Sequence, residues 1–147
     1  AAVNQLPGAS DALVDELFHL CHFVTDFVLF DDVLPTLEKI SVRYRMAVIS
    51  NALPSMDWAF DRFNLRRYFE RVFISSPMGV AKPDPRIFRM ALVEVGCAAE
   101  RTMFVDDKPR NVEAANVLGM KAIGLYRGMP SGSGYMTRLS EIDAFLL

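Results

Sequence analysis

Short apolar runs alternate along the chain with segments in which apolar residues recur at helical spacing. Four runs are typical of buried strands, and they are 46–50, 71–75, 102–106 and 121–126. The intervening pattern predicts helices over 33–43, 52–64, 85–96 and 110–119. Strands that lack strict alternation and are separated by helices indicate a parallel sheet covered by helices. We therefore predict an α/β fold.

The two ends of the chain have different patterns. Residues 1–9 are typical of a loose leader, and a helix is predicted over 10–29. Its apolar stripe is formed by Leu13, Leu17, Leu20, Val24 and Phe27. At the other end, a loop rich in Gly, Ser and Pro over 127–135 precedes a predicted short helix over 139–147.

Composition narrows the class of protein. The 147 residues are 52% apolar and 23% charged, which excludes a disordered chain and allows a real core. The net charge of -2 gives no general attraction to nucleic acid or to acidic membranes, and no uncharged run is long enough to cross a bilayer. Cys21 and Cys97 form no CxxC pair, so we expect a reducing, cytoplasmic compartment.

Polar side chains follow the predicted strands at the edge where parallel sheets bind ligands. Ser50 and Asn51 come after the first strand and offer a hydroxyl and an amide to phosphate oxygens. Asp106 and Asp107 end the third strand and offer oxygen ligands suited to a divalent metal. Lys82 precedes a helix and offers an ammonium group. Each residue alone is explained equally well as a cap or a turn, but the ordered set predicts a site for phosphate and a cation.

Three segments carry a family resemblance. VISNA (48–52), GVAKPDPRIF (79–88) and MFVDDKPRNVEAANVLGMKAI (103–123) resemble the second, third and fourth motifs of the haloacid dehalogenase superfamily. They are most similar to its small phosphatases and dehalogenases, in the right order and at predicted strand-to-helix junctions. The resemblance covers about 31–147 and implies a Rossmann-like parallel sheet.

The resemblance also implies roles for individual residues. Ser50 would hold the phosphate and Lys82 would neutralise its charge. Asp106 would hold Mg²⁺, with Asp107 next to the metal and to Lys82. Asn111 occupies a position in the fourth motif that supports this arrangement.

One motif of the family is absent. The first motif, DxDx[TV], carries the nucleophilic aspartate and occurs nowhere in this sequence. Residues 29–36 (LFDDVLPT) share an apolar run followed by Asp31 and Asp32, but their spacing is wrong. We therefore expect 1–30 to be a leader with a remnant helix of the family's cap, and 31–147 to be a truncated core without the usual first strand.

That strand is central in the family and lies between the strands of Val48 and Val105. We expect these two strands to close the gap or another segment to fill it. Because an exposed central edge invites pairing with a second chain, we also expect a homodimer, with or without exchanged elements.

A second cluster of candidate ligands lies on the first predicted helix. Asp15, His19, His22 and Asp26 are spaced four, three and four, which places them on the face opposite the apolar stripe. Such a set suits Zn²⁺ or Mn²⁺, and a site would need further ligands from a second helix or from the Asp106 pair. The alternative is a solvated face with incidental histidines.

These observations favour a metal-dependent phosphoester hydrolase, a phosphodiesterase or a phosphatase, that acts on small-molecule esters. In this interpretation Asp106, Asp107 and Lys82 are catalytic, and metal-activated water replaces the aspartate nucleophile. Two alternatives stay open. The chain is either an inactive remnant or anion-binding module with its pocket at Ser50 and Lys82, or a fragment of a full-length phosphatase or dehalogenase.

Overall fold

The structure, a computed structural model, describes residues 27–54 and 56–146. The strands are β1 (Ala47–Ser50), β2 (Arg71–Ile74), β3 (Met103–Asp106), β4 (Lys121–Leu125) and β5 (Tyr135–Met136). The α-helices are α1 (Val33–Ser41), α2 (Met56–Arg62), α3 (Ser75–Met78), α4 (Pro85–Val95) and α5 (Pro109–Val117). Three 3₁₀ turns cover Arg66–Tyr68, Ala99–Arg101 and Leu139–Ala144. No helix in these residues has the length and apolar character that a membrane span requires.

The predicted α/β fold with parallel strands is confirmed, and most element boundaries shift by only one or two residues. Ser75 begins the short helix α3 instead of ending β2, and the helix predicted from 52 begins at Met56. The terminal helix is a 3₁₀ turn that ends at Ala144. Of the helix predicted over 10–29, only 27–29 are described, and they are not helical.

The strands form two separate parallel sheets. β1 pairs with β2, from Ala47 opposite Arg71 to Ser50 opposite Ile74. β3, β4 and β5 form the other sheet in that order. Among the described residues, β1 and β3 each have a single strand neighbour. Within that part of the chain, these two strands therefore do not pair across the gap and no described strand lies between them.

The helix α4 packs against strands of both sheets. Its side chains Ile87 and Phe88 are fully buried, and the Phe88 ring meets Phe104 of β3 edge to face, with 5.2 Å between centroids. Ile49 of β1 packs against the same cluster. A second cluster lies under α1 and includes Leu37, Ile40, Tyr68, Met136 and Ile142. Apolar packing on α4 therefore connects the two sheets beneath their gap.

The start of α4 is fixed by its own sequence. The Asp84 carboxylate accepts a hydrogen bond from the backbone N–H of Arg86 at 2.9 Å, and Pro85 takes the first helical position, where no N–H is needed. Gly96 ends the helix in the left-handed conformation, with φ of 62°. These signals place Lys82 in the loop just before the helix, at the edge of the sheet.

A buried carboxylate ties the start of α1 to the end of the chain. Asp32 accepts hydrogen bonds from both terminal nitrogens of Arg127, at 2.8 and 3.3 Å, and from the backbone N–H groups of Leu139 and Ser140. Burial alone would raise the pKa of Asp32, but these donors outweigh it and hold the pKa below its ordinary value. Asp32 is therefore a structural anchor, in agreement with the wrong spacing of 29–36 for the missing motif.

We predict that Asp32→Asn destabilises the protein by about 3 kcal/mol, because it leaves the Arg127 guanidinium without its charged partner. Urea denaturation at pH 7 measures this change. Asp143→Asn is the matched control, since Asp143 pairs with Lys39 in an exposed ion pair and its loss should cost less than about 1 kcal/mol. Equal losses in the two variants would contradict the anchor role.

Candidate active site

The carboxyl ends of β1 and β3 meet around the side chain of Lys82. Its Nζ atom lies 2.5 Å from the carbonyl oxygen of Ile49 and 2.6 Å from Oδ2 of Asp106. The side chains of Lys82 and Asp106 are only 9% and 4% exposed. The Phe104 ring covers the ammonium, with its centroid 5.4 Å from Nζ. One buried cation therefore bridges the two sheets at the edge where the predicted site residues lie.

Asp106 is held in one orientation by three donors. Its Oδ1 accepts hydrogen bonds from the backbone N–H of Lys108 at 2.9 Å and from Nδ2 of Asn111 at 2.8 Å, while Oδ2 accepts from Lys82. Burial on its own would raise the pKa of Asp106, but these donors, Lys82 first among them, bring the pKa below its ordinary value. Asp106 is therefore an ionised carboxylate at neutral pH, with a lone pair of Oδ2 still available.

Asn111 has the supporting position that the family resemblance implies. It is 2% exposed, and its Nδ2 binds Asp106. Its Oδ1 is the one buried side-chain nitrogen or oxygen of the described residues without a hydrogen-bond partner. The surroundings of Asp106 therefore contain an unused oxygen acceptor as well as a carboxylate, which are the ligand types that hydrated Mg²⁺ prefers.

Asp107 lies differently from the expectation. It is exposed and makes no hydrogen bond or ion pair with the described residues, and Lys82 pairs with Asp106 instead. β3 ends at Asp106, and Asp107 lies in the bend that follows the strand, outside the buried ion pair. Residues 27–54 and 56–146 contain no group of three or more His, Cys, Asp or Glu side chains suited to a metal. A cation at the Asp106 pair would thus take further ligands from water or phosphate, as Mg²⁺ commonly does.

Ser50 and Asn51 end β1 but use their side chains differently. The half-buried Ser50 hydroxyl makes no hydrogen bond with the described part of the chain, so it is free to donate to an anion. The Asn51 amide instead binds the main chain of Lys82, donating from Nδ2 to the carbonyl oxygen at 2.7 Å and accepting from the N–H at 2.8 Å. This arrangement differs from the prediction that Asn51 presents its amide to phosphate.

The predicted row of metal ligands on the first helix consists of Asp15, His19, His22 and Asp26. These residues lie within 1–26, outside the described residues.

The carbonyl group of Ile49 belongs to the site but is not predicted by the sequence, because a main-chain acceptor leaves no signal in the type of residue. Its only indication in the sequence is its place one residue before Ser50, at the end of a predicted strand.

Comparison with known proteins connects this geometry to a family. The model of the family described as haloacid dehalogenase-like hydrolase matches residues 10–125. The chain is 36% identical over 86 residues to a phosphoserine phosphatase of Thermus thermophilus, covering 57% of this chain and 34% of that protein. It is 29% identical over 102 residues to a glyceraldehyde 3-phosphate phosphatase of Methanopyrus kandleri, covering 67% and 44%. The chain thus spans less than half the length of these relatives.

A solved structure has a similar fold. The enzyme of this family from Bacteroides thetaiotaomicron, crystallised with magnesium and inorganic phosphate, superimposes with a TM-score of 0.65. Its sequence is 25% identical, and the match covers 83% of this chain and 63% of that protein. The phosphate and the magnesium belong to that protein.

The depressed pKa of Asp106 predicts how stability depends on pH. Its ionised form contributes fully above the unfolded-state pKa of about 3.9, and this contribution is lost as the pH falls through the lower folded-state pKa. Asp106→Asn has no carboxyl group to titrate. We expect the variant to be less stable than the parent at pH 7, and the difference in free energy of unfolding to shrink as the pH falls from about 5 to 2. Denaturation at a series of pH values tests this, and a constant difference would refute it.

Proposed function

The chain belongs to the haloacid dehalogenase-like hydrolase family, and from that membership we propose that it is a metal-dependent hydrolase of small phosphate esters. The observation that carries the proposal is the position of the Lys82 ammonium, bound to Asp106 and to the carbonyl oxygen of Ile49, the residue before Ser50. The phosphatases among its relatives favour monoesters as the substrate class.

In this proposal Lys82 and Ser50 bind the phosphate group. The ammonium has three N–H donors and uses two of them on Ile49 and Asp106, so one remains for a phosphate oxygen. A charge-assisted bond of this kind is stronger than one between neutral groups. The Ser50 hydroxyl adds a second donor from the end of β1. The two together provide charge neutralisation and orientation.

Asp106 and Asp107 would hold the cation, and the unbonded Oδ1 of Asn111, whose Nδ2 binds Asp106, is of a ligand type that fits Mg²⁺. When bound, Mg²⁺ would offset the charge of the phosphate and lower the pKa of a coordinated water. The three donors on Asp106 keep its carboxylate ionised and immobile, so no reorganisation is needed when a cation arrives.

Water is the attacking group in our proposal, and Asp32 is not available for that role because Arg127 occupies its carboxylate. The exposed, unbonded Asp107 carboxylate would take part by holding the cation, as proposed above. A second candidate function is anion binding without turnover, which is favoured by the lack of a three-ligand metal group in the described residues.

We further propose that the chain forms a homodimer. Among the described residues, β1 and β3 each have one strand neighbour, and a strand with an open edge pairs readily with a strand from another chain. A symmetric dimer, with or without exchanged elements, would supply that strand.

Activity with p-nitrophenyl phosphate tests the proposed hydrolase. We expect turnover with Mg²⁺, loss of turnover in excess chelator and recovery when Mg²⁺ is restored. Asp106→Ala should lower the rate by about 100-fold or more, because it removes the charge that holds both Lys82 and the cation. Asp143→Ala, in the terminal 3₁₀ turn, is the control. Activity that persists in chelator would contradict metal dependence, and phosphate binding without turnover would indicate the anion-binding module.

Metal analysis of the purified protein tests the row of Asp15, His19, His22 and Asp26. If the row is a solvated face, Mg²⁺ should be the best activator, and His19→Ala should keep activity within about twofold of the parent. Retained Zn²⁺ or Mn²⁺ that is lost together with activity in His19→Ala would assign the row to the metal site instead.

A further inference from the structure

We propose that Asn51 is a positioning residue that fixes the main chain of Lys82, and through it the ammonium group, instead of binding phosphate itself. Two hydrogen bonds carry the inference. Nδ2 of Asn51 donates to the Lys82 carbonyl oxygen at 2.7 Å, and Oδ1 accepts from the Lys82 N–H at 2.8 Å. The effect on phosphate binding rests on the proposed function, whereas the effect on the ammonium does not.

The chemistry of this contact is specific to a side-chain amide. A side-chain amide has a donor and an acceptor side by side. It can therefore pair with both the N–H and the C=O of one residue, as the main chain of a neighbouring strand does. A carboxylate at position 51 would keep the acceptor but turn an oxygen toward the Lys82 carbonyl. Alanine would remove both bonds. The residue type at position 51 therefore determines whether a loop residue 31 positions away is held against the end of β1.

Lys82 is consequently fixed at both ends. Asn51 holds its main chain, while Ile49 and Asp106 hold its Nζ. Two of these three partners belong to β1 or follow it directly. The long, flexible side chain of a lysine loses much conformational freedom when its head group is bound. Anchoring the main chain lowers this entropy cost, because fewer conformations are accessible before the head group binds. Without Asn51 the ammonium should visit other positions and hold a phosphate less tightly.

Nuclear magnetic resonance of the full chain without phosphate gives a direct test. The buried, doubly bonded Lys82 ammonium should produce a ¹⁵N–¹H signal protected from solvent exchange, which is assigned by its loss in Lys82→Arg. We expect Asn51→Ala and Asn51→Asp to broaden or abolish this signal. Asn116→Ala is the matched control, because Asn116 also binds a backbone N–H, that of Ala122 at 3.0 Å, and should leave the signal unchanged. An unprotected signal in the parent, or a protected one in Asn51→Ala, would overturn the proposal.

Binding of inorganic phosphate in the presence of Mg²⁺ separates positioning from direct contact. We expect Asn51→Ala to weaken binding about tenfold in the parent background and to have no further effect in Lys82→Ala. Additive losses in the double variant would make Asn51 an independent phosphate ligand and refute the inference. If the parent binds no phosphate, the proposed function fails, while the ammonium signal still decides the role of Asn51.

Discussion

A single buried ammonium joins the two sheets of the described structure. A cation in such surroundings is costly unless it is paired and hydrogen-bonded, and Lys82 meets that condition only because Ile49 and Asp106 approach it from different sheets. The same requirement applies to the partners of Lys82. Asp106 must stay ionised, so Lys108 and Asn111 donate to its other oxygen, and the start of α5 is tied to the end of β3.

In the proposed function, the Lys82 ammonium has a structural and a binding role without conflict. Lys82 donates two hydrogen bonds to the protein and has a third N–H that is unused, so a phosphate can be bound while the bridge between the sheets stays intact. Apolar packing of α4 beneath the gap supports this division, since Phe88 and Phe104 hold the strands in place from below. Apolar packing and the Lys82 bridge therefore both hold the two sheets together, one beneath the gap and one at its polar edge.

Sequence pattern predicted the parts of this fold that depend on local composition. Apolar runs and helical spacing indicated the parallel α/β order. Polar residues at strand ends indicated Ser50 and Asp106, and a lysine before a helix indicated Lys82. Contacts decided by tertiary structure were not predictable in this way. β5 has two residues in a glycine-rich loop and exists only by pairing with β4. The hydrogen bonds of Asn51 and the division of the strands into two sheets likewise depend on main-chain groups, which the residue type does not reveal.

Asp32 and Asp106 show why a buried acid alone does not identify a site. Both are almost fully buried and both have a pKa below the ordinary value, so neither burial nor pKa distinguishes them. The partner does. Asp32 receives two donors from a guanidinium and two from the backbone, and three of these four fall on Oδ2. Oδ2 of Asp106 receives a single bond, from an ammonium that itself keeps a donor. Unused bonding capacity on both members of an ion pair is what a ligand requires, and it is the property that separates the candidate active site from the anchor.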